Sequence, residues 1–279
     1  MTVKGDTIDA FAPIKQTDDE RHAMYPHPST GSLAALSLLL AALAGPPAWG
    51  AAAPDQPRVI AEAGAGFTIK AAVPVFADAG GGPDADAALA SANRDLRTGI
   101  EALIAAFRKE HQEAAARGGI QGADWSLLIE HEPPARGVHY LAVLITGYDF
   151  RGGAHGMPIS EPRVFALADG RRIPPQGLFR PDSDWLGRLA ARCYAELKLR
   201  NLAGTDETWL RSGTEPKTEN YSLLLPTPTG LRVIFPPYAV AAYAEGTQEV
   251  LIPYRDLAGL LEPTLFGEPA PHQPPTTDH

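Results

Sequence analysis

The sequence predicts an α+β fold: mostly antiparallel sheets, each packed by an amphipathic helix, in two consecutive subdomains. Three observations carry this. The run Tyr140 to Ile145 is apolar on both faces of a strand. Tyr140, Ala142, Leu144 and Thr146 fall on one side, and Leu141, Val143 and Ile145 on the other. A strand without a polar face belongs in the middle of a sheet covered on both sides. Two further stretches, one around Leu96 and one around Leu189, repeat apolar residues at helical spacing. Between them, short strand-like runs are separated by turns built from the chain's 27 glycines and 27 prolines.

The 279 residues are 44% hydrophobic and 20% charged, an ordinary globular balance that allows one large or two small domains. The net charge of −9, with no basic stripe interleaved with aromatics, argues against nucleic acid as a partner. A single cysteine, Cys193, excludes an intramolecular disulfide and a cysteine-based zinc cluster.

The first 53 residues read as a leader. No charged residue other than histidine occurs from Met24 through Pro54, and Leu33 to Ala44 is an apolar core. Gly45-Pro46-Pro47 breaks any helix, and Ala48 to Ala53 supplies small residues suited to cleavage. The apolar core is short against the ~20 residues a membrane span needs. The expectation is a secretory signal peptide cleaved between about Gly50 and Pro54, a periplasmic or secreted address and no membrane association afterwards; an uncleaved anchor is the alternative. The start codon is open between Met1 and Met24, because Met1 to Arg21 carries five acidic and three basic residues, a poor leader start. The 21 basic and 28 acidic side chains after Ala53 give the exported part a net charge of −7.

From residue 54 to 150 the pattern predicts a first subdomain. Phe67 to Val75 alternates as a strand until Pro74 intrudes, and Gly80-Gly81-Gly82-Pro83 is a loop. Asp84 or Asp86 caps a helix carrying Leu89, Leu96, Ile100, Leu103, Ile104 and Phe107, which ends at Gly118-Gly119. Trp125, Leu127 and Ile129 lead to His131, and a long loop returns the chain into the strand from Tyr140 to Phe150.

A second subdomain spans residues 151 to 266. After the loop Arg151-Gly152-Gly153-Ala154-His155-Gly156 come a strand at Pro162 to Leu167 and a turn at Ala168-Asp169-Gly170. Asp182 or Ser183 caps a helix with Trp185, Leu186, Leu189, Cys193 and Leu197 on its inner face. The polar stretch Gly204 to Glu219 reads as loop. Strands follow at Tyr221 to Leu225, Leu231 to Phe235 and Glu249 to Pro253, then a short helix from Tyr254 to Leu261. The Pro-rich stretch from Gly267 to His279 reads as disordered.

Two motifs resemble a known family. Phe235-Pro-Pro-Tyr-Ala-Val-Ala-Ala-Tyr-Ala-Glu-Gly246, followed by Glu249-Val-Leu-Ile-Pro-Tyr254 and Leu257, is similar to the end of the RsiV/PdaC-type extracytoplasmic domain. Gly152-Gly-Ala-His-Gly156 after an apolar strand, and Leu178-Phe179 beyond Gly170, fit the same pattern. The resemblance covers roughly residues 67 to 261. It implies an α+β fold outside the cytoplasm. In the family the module accompanies a cell-wall deacetylase domain or forms the outer part of an anti-sigma factor that recognises lysozyme. It brings no catalytic residues with it. The sequence departs from the anti-sigma layout, since Met1 to Ser32 is short for a sigma-binding domain.

Residue by residue, His155 has the chemistry of a general base or metal ligand, but its ring nitrogens more simply clasp the loop's backbone. Asp149 either orients it or caps a turn. His131 and His139 flank a loop and join His155 only if strand register allows. Glu130 and Glu132 resemble the carboxylate pair of a glycan hydrolase, or a solvated edge. His111 reads as a solvated helix face. Tyr238 and Tyr243 offer a stacking platform, or serve core packing. Cys193 reads as a buried helix residue.

The candidate ligand-binding residues are Gly152, Gly153, His155, Tyr238 and Tyr243, with no catalytic residue, metal or cofactor assigned. The expected function is a secreted, non-catalytic envelope protein that binds a cell-wall component, such as a peptidoglycan fragment, or a wall-cleaving enzyme such as lysozyme. The alternatives are a wall-polymer hydrolase or deacetylase using His155 and a membrane-anchored envelope sensor.

Overall fold

The computed structural model describes residues 55–77, 83–119, 122, 124–202 and 206–267. The expected leader, its cleavage region, the centre of the first glycine loop, the start of the 204–219 stretch and the tail after Gly267 lie outside the described residues.

The large sheet has the order β1 (Asp55–Gly64), β2 (Phe67–Val75), β3 (Trp125–His131), β5 (Tyr140–Phe150), β6 (Met157–Ala166) and β7 (Arg172–Ile173), with β4 (Ala135–Arg136) also pairing β5. All its neighbours run antiparallel except β2 and β3. That parallel pair is joined by the 34-residue helix α1 (Pro83–Ala116), the kind of crossover parallel strands require. Helix α1 begins at Pro83, so Asp84 and Asp86 fall inside its first turns rather than at the cap.

β5 sits in the middle of the sheet, as its two apolar faces predict. Leu141, Val143 and Ile145 join Leu89, Leu96, Ile100, Ile104 and Phe107 of α1 in one core. Tyr140, Ala142 and Leu144 face a second core. That core is built with helix α2 (Trp185–Arg200) and a smaller antiparallel sheet of β8 (Leu224–Pro226), β9 (Gly230–Phe235) and β10 (Gln248–Pro253). β8 packs against β5 and β6, and α2 lies against β10. In α2, Trp185, Leu189, Cys193 and Leu197 are buried along one face, as their spacing predicts.

The division expected at residue 150 does not hold. Phe150 and Arg151 sit inside the β5–β6 hairpin, paired continuously from Tyr140↔Ala166 to Asp149↔Met157. The two cores divide by the faces of shared strands, not by position along the chain, and residues from Gly50 onward cluster as one unit.

Other boundaries also move. Unanticipated is β1, an edge strand paired to β2 with a register irregularity between Asp55 and Arg58, opposite the Pro74 end of β2. β6 begins at Met157, five residues earlier than expected, and accommodates Pro158 and Pro162 because its outer side is unpaired there. Asp184, not Asp182 or Ser183, caps α2, accepting from the Gly187 amide at 3.1 Å. The supposed loop after Gly204 contains helix α3 (Glu207–Thr214), capped by Asp206. Tyr221 closes a 3-10 turn instead of opening β8. The final helix is a 3-10 turn at Tyr254–Leu257 followed by helix α4 (Pro263–Phe266). No helix among the described residues is long and apolar enough to cross a membrane.

Candidate functional site

The β5–β6 turn and the β9–β10 connection meet at one end of the large sheet. Their meeting point is Gly156. Its amide donates to the Tyr148 hydroxyl at 2.7 Å, and its carbonyl accepts from the Tyr243 hydroxyl at 2.8 Å. A Cβ at this position would lie 2.5 Å from the Asp149 carbonyl oxygen and 2.8 Å from the Tyr148 ring, so only glycine fits without displacement. Gly152 and Gly153 carry the turn at φ +84° and +85°, the left-handed region that favours glycine.

His155 is exposed and lies flat on Tyr243, ring centroids 3.7 Å apart and planes 20° from parallel. Its Nδ1 is 3.1 Å from the Gly156 carbonyl oxygen, the backbone clasp expected of it. Tyr238 stands beside this pair, 5.7 Å from Tyr243 by ring centroid and half exposed. The core-packing alternative therefore fails for Tyr238. Its backbone is left-handed, φ +71°, which is uncommon for a tyrosine.

Two contacts hold that conformation. The Trp209 indole donates to the Tyr238 carbonyl at 3.2 Å. Gly213 lets α3 approach the turn so closely that a Cβ there would sit 2.1 Å from the Ala239 carbonyl oxygen. Three of the five candidate residues thus form one aromatic patch, and the other two shape the loop that carries it. Tyr148 and Trp209 complete the arrangement and escaped the sequence reading. Neither stands in a recognisable spacing, and only β5–β6 register and the unanticipated α3 bring them in.

The loop's base is charged. Arg151 forks onto Asp149 at 2.7–3.0 Å and also contacts Glu110 of α1. Asp149 therefore engages Arg151, not His155. Desolvation raises the Asp149 carboxyl and lowers the Arg151 guanidinium relative to their ordinary values, both against charge, while the fork's geometry favours the ion pair.

His111 is not on a solvated face. It is 6% exposed, packed against Phe67 and Trp125, with its Nε2 unbonded among the described groups.

The histidine cluster does not form. His139 precedes β5 and His155 follows it, so an 11-residue strand, roughly 35 Å long, separates them. His131 pairs with Ile145 partway along and bonds the Glu132 carbonyl. Among the described residues, no three His, Cys, Asp or Glu side chains gather as metal ligands. Glu130 and Glu132 are not a working pair either. Glu132 is engaged by Arg232 at 2.6 Å, and Glu130 is exposed on β3. Cys193 is fully buried, and burial pushes its thiol up to about 12 against the opposing pull of Arg200 and Arg192.

Two shallow hollows, of about 230 and 340 Å³, lie around His139 and Arg171 and around Tyr194 and Arg211. Neither includes a residue of the loop or the patch.

Comparison with known proteins follows the same lines. Residues 177–255 match the family described as "Protein of unknown function (DUF3298)". Over 119 residues the chain is 30% identical to the peptidoglycan-N-acetylmuramic acid deacetylase PdaC of Bacillus subtilis (strain 168), which is 41% of this chain and 26% of that protein. The chain therefore spans about a quarter of that relative's length. Two solved DUF3298 proteins, from Pseudomonas aeruginosa PAO1 and Bacteroides fragilis NCTC 9343, superpose with TM-scores of 0.51 and 0.52 at 16% and 17% identity. Each superposition covers 76% of this chain and 97% or 96% of the other, a likeness of fold.

Proposed function

We propose that this chain, which carries a PdaC-like DUF3298 domain, is an exported envelope protein that binds a cell-wall component through the His155–Tyr243–Tyr238 patch and turns over no substrate. The stacked His155 and Tyr243 beside a half-exposed Tyr238 is the observation that carries this reading. Sugar rings have apolar faces that settle on aromatic rings, while polar groups of the ring system, such as the exposed Tyr238 hydroxyl, order the ligand at the rim. The name of the Bacillus relative places its own chemistry on peptidoglycan, which supports a wall component as the ligand class.

The test is calorimetry of the exported chain with solubilised peptidoglycan fragments. Heat that disappears in Tyr238→Ala is the expected result. Release of acetate or sugar from wall polymer, lost in His155→Ala, would overturn the non-catalytic part in favour of a hydrolase or deacetylase. The expected export is checked by mass analysis of the chain's N-terminus; a chain retaining Met1 or Met24 and partitioning with membranes would favour the anchored sensor.

A second reading takes a basic wall-cleaving protein such as lysozyme as the partner. The net charge of −7 after Ala53 favours it. Charge complementarity of that kind speeds encounter, and binding would weaken as salt rises.

A further inference from the structure

One face of the large sheet is only half covered. Past Thr146 the side of β5 that faces the small sheet emerges from under it. Strand register aligns Ala61, Lys70, Leu128, Tyr148 and Pro158 in one row across β1, β2, β3, β5 and β6. The first four are exposed and Pro158 is half-buried. Their chain neighbours Ile69, Leu127 and Ile129 point into the α1 core. Because side chains alternate along strands, the row belongs to a continuous floor on the opposite face. The flanking positions on that face are Thr68, Ser126 and Phe150 on one side of the row and Glu130, Thr146 and Ser160 on the other, four of the six carrying hydroxyls.

Tyr148 ties this floor to the aromatic patch. Its ring is part of the row, and its hydroxyl holds the Gly156 amide next to His155. The patch therefore stands at the edge of a hydroxyl-bearing floor. From Tyr148 across β3 to Lys70 the floor runs about 10 Å at the usual strand spacing. That is more than one sugar ring occupies.

We infer that the floor is a binding surface for a linear amino-sugar polymer, continuing the contact made at the patch. The inference rests on the wall-component reading above and adds to it that the ligand is an extended strand, not a terminal sugar. Leu128 and Tyr148 offer apolar surface to successive rings. The hydroxyls of Thr68, Ser126, Thr146 and Ser160 both donate and accept, as sugar hydroxyls and N-acetyl groups require. Lys70 supplies donors at the far end.

The experiment is calorimetry of the exported chain with N-acetylglucosamine, chitobiose and chitohexaose as probes. Chitohexaose should bind about tenfold more tightly than chitobiose, a difference of roughly 1.4 kcal/mol. Ser126→Arg, which plants a long side chain in the floor away from the patch, should abolish that advantage and leave chitobiose binding unchanged. Thr68→Arg repeats the test on another strand, with thermal melts confirming that each variant is folded. Equal affinity for the two oligomers, or folded arginine variants that retain the hexamer's advantage, would overturn the floor while leaving the patch intact. Absence of heat with every glycan would overturn both, and heat with lysozyme alone would assign the surface to a protein partner.

Discussion

His155 and Tyr243 come from connections nearly ninety residues apart in the chain and lie ring on ring, centroids 3.7 Å apart. The same Tyr243 hydroxyl bonds the Gly156 carbonyl at 2.8 Å, so one side chain both stacks on the loop and anchors it. Tyr243→Phe should retain the stack and lose the anchor, at a cost of about 1 kcal/mol, typical of one such hydrogen bond. Tyr243→Ala should cost more and also diminish the wall-fragment heat. Urea unfolding and calorimetry of the two variants separate the two contributions.

The glycines of the loop are not equivalent. Gly153 needs its left-handed backbone but has open space around it, so Gly153→Val should cost about 1–3 kcal/mol through strain alone. Gly156 has no room for a Cβ, and Gly156→Ala should additionally displace Tyr148 and lower ligand binding. His155→Ala should cost less stability than either. Thermal melts rank the three; an unchanged midpoint for Gly153→Val would show that backbone geometry is not what the glycine supplies.

Cys193 should be chemically silent. Its thiol is raised from an ordinary 9.0 to about 12 because the thiolate would be buried in the second core. A group with a raised folded value contributes stability that is complete below its unfolded value and lost as pH climbs from about 9 towards 12. Alkylation by iodoacetamide at pH 8 should therefore await unfolding. Fast labelling of the native chain would contradict the burial.

Glu207 is the opposite case. Its carboxylate accepts from the Tyr194 hydroxyl at 2.7 Å, from Arg211 and from Lys198, and these hold it down at about 2. The stability linked to it is present above the ordinary 4.5 and is lost as pH falls towards 2. NMR titration of the Glu207 carboxyl should give a midpoint near 2, and Tyr194→Phe, which removes the largest contributor, should raise it.

Much of the frame was legible because it is written in local periodicity. The alternation along β5 alone assigns Leu141, Val143 and Ile145 to one face and Tyr140, Ala142 and Leu144 to the other, and each face meets its own core. The face of α2 followed from 3.6-residue spacing, and the glycines of the loop from the backbone freedom only they possess. α3 was hidden because its eight residues offer one buried large side chain, Leu210, and a cap at Asp206 that also reads as loop chemistry. β1 was hidden because an edge strand with one exposed face need not look apolar.

The sequence by itself determined the apolar faces of β5, α1 and α2 and the turn that Gly152 and Gly153 carry, since both depend on neighbours within a few residues. Only tertiary structure decided that His111 would be caged between Phe67 and Trp125, that Arg151 would take Asp149 away from His155, and that Tyr148 would join the floor to the patch. Those outcomes depend on strand register and on where α1, α3 and the β9–β10 connection come to rest. Register is fixed by the burial of whole faces against distant partners, and no residue reports it through its neighbours in the chain.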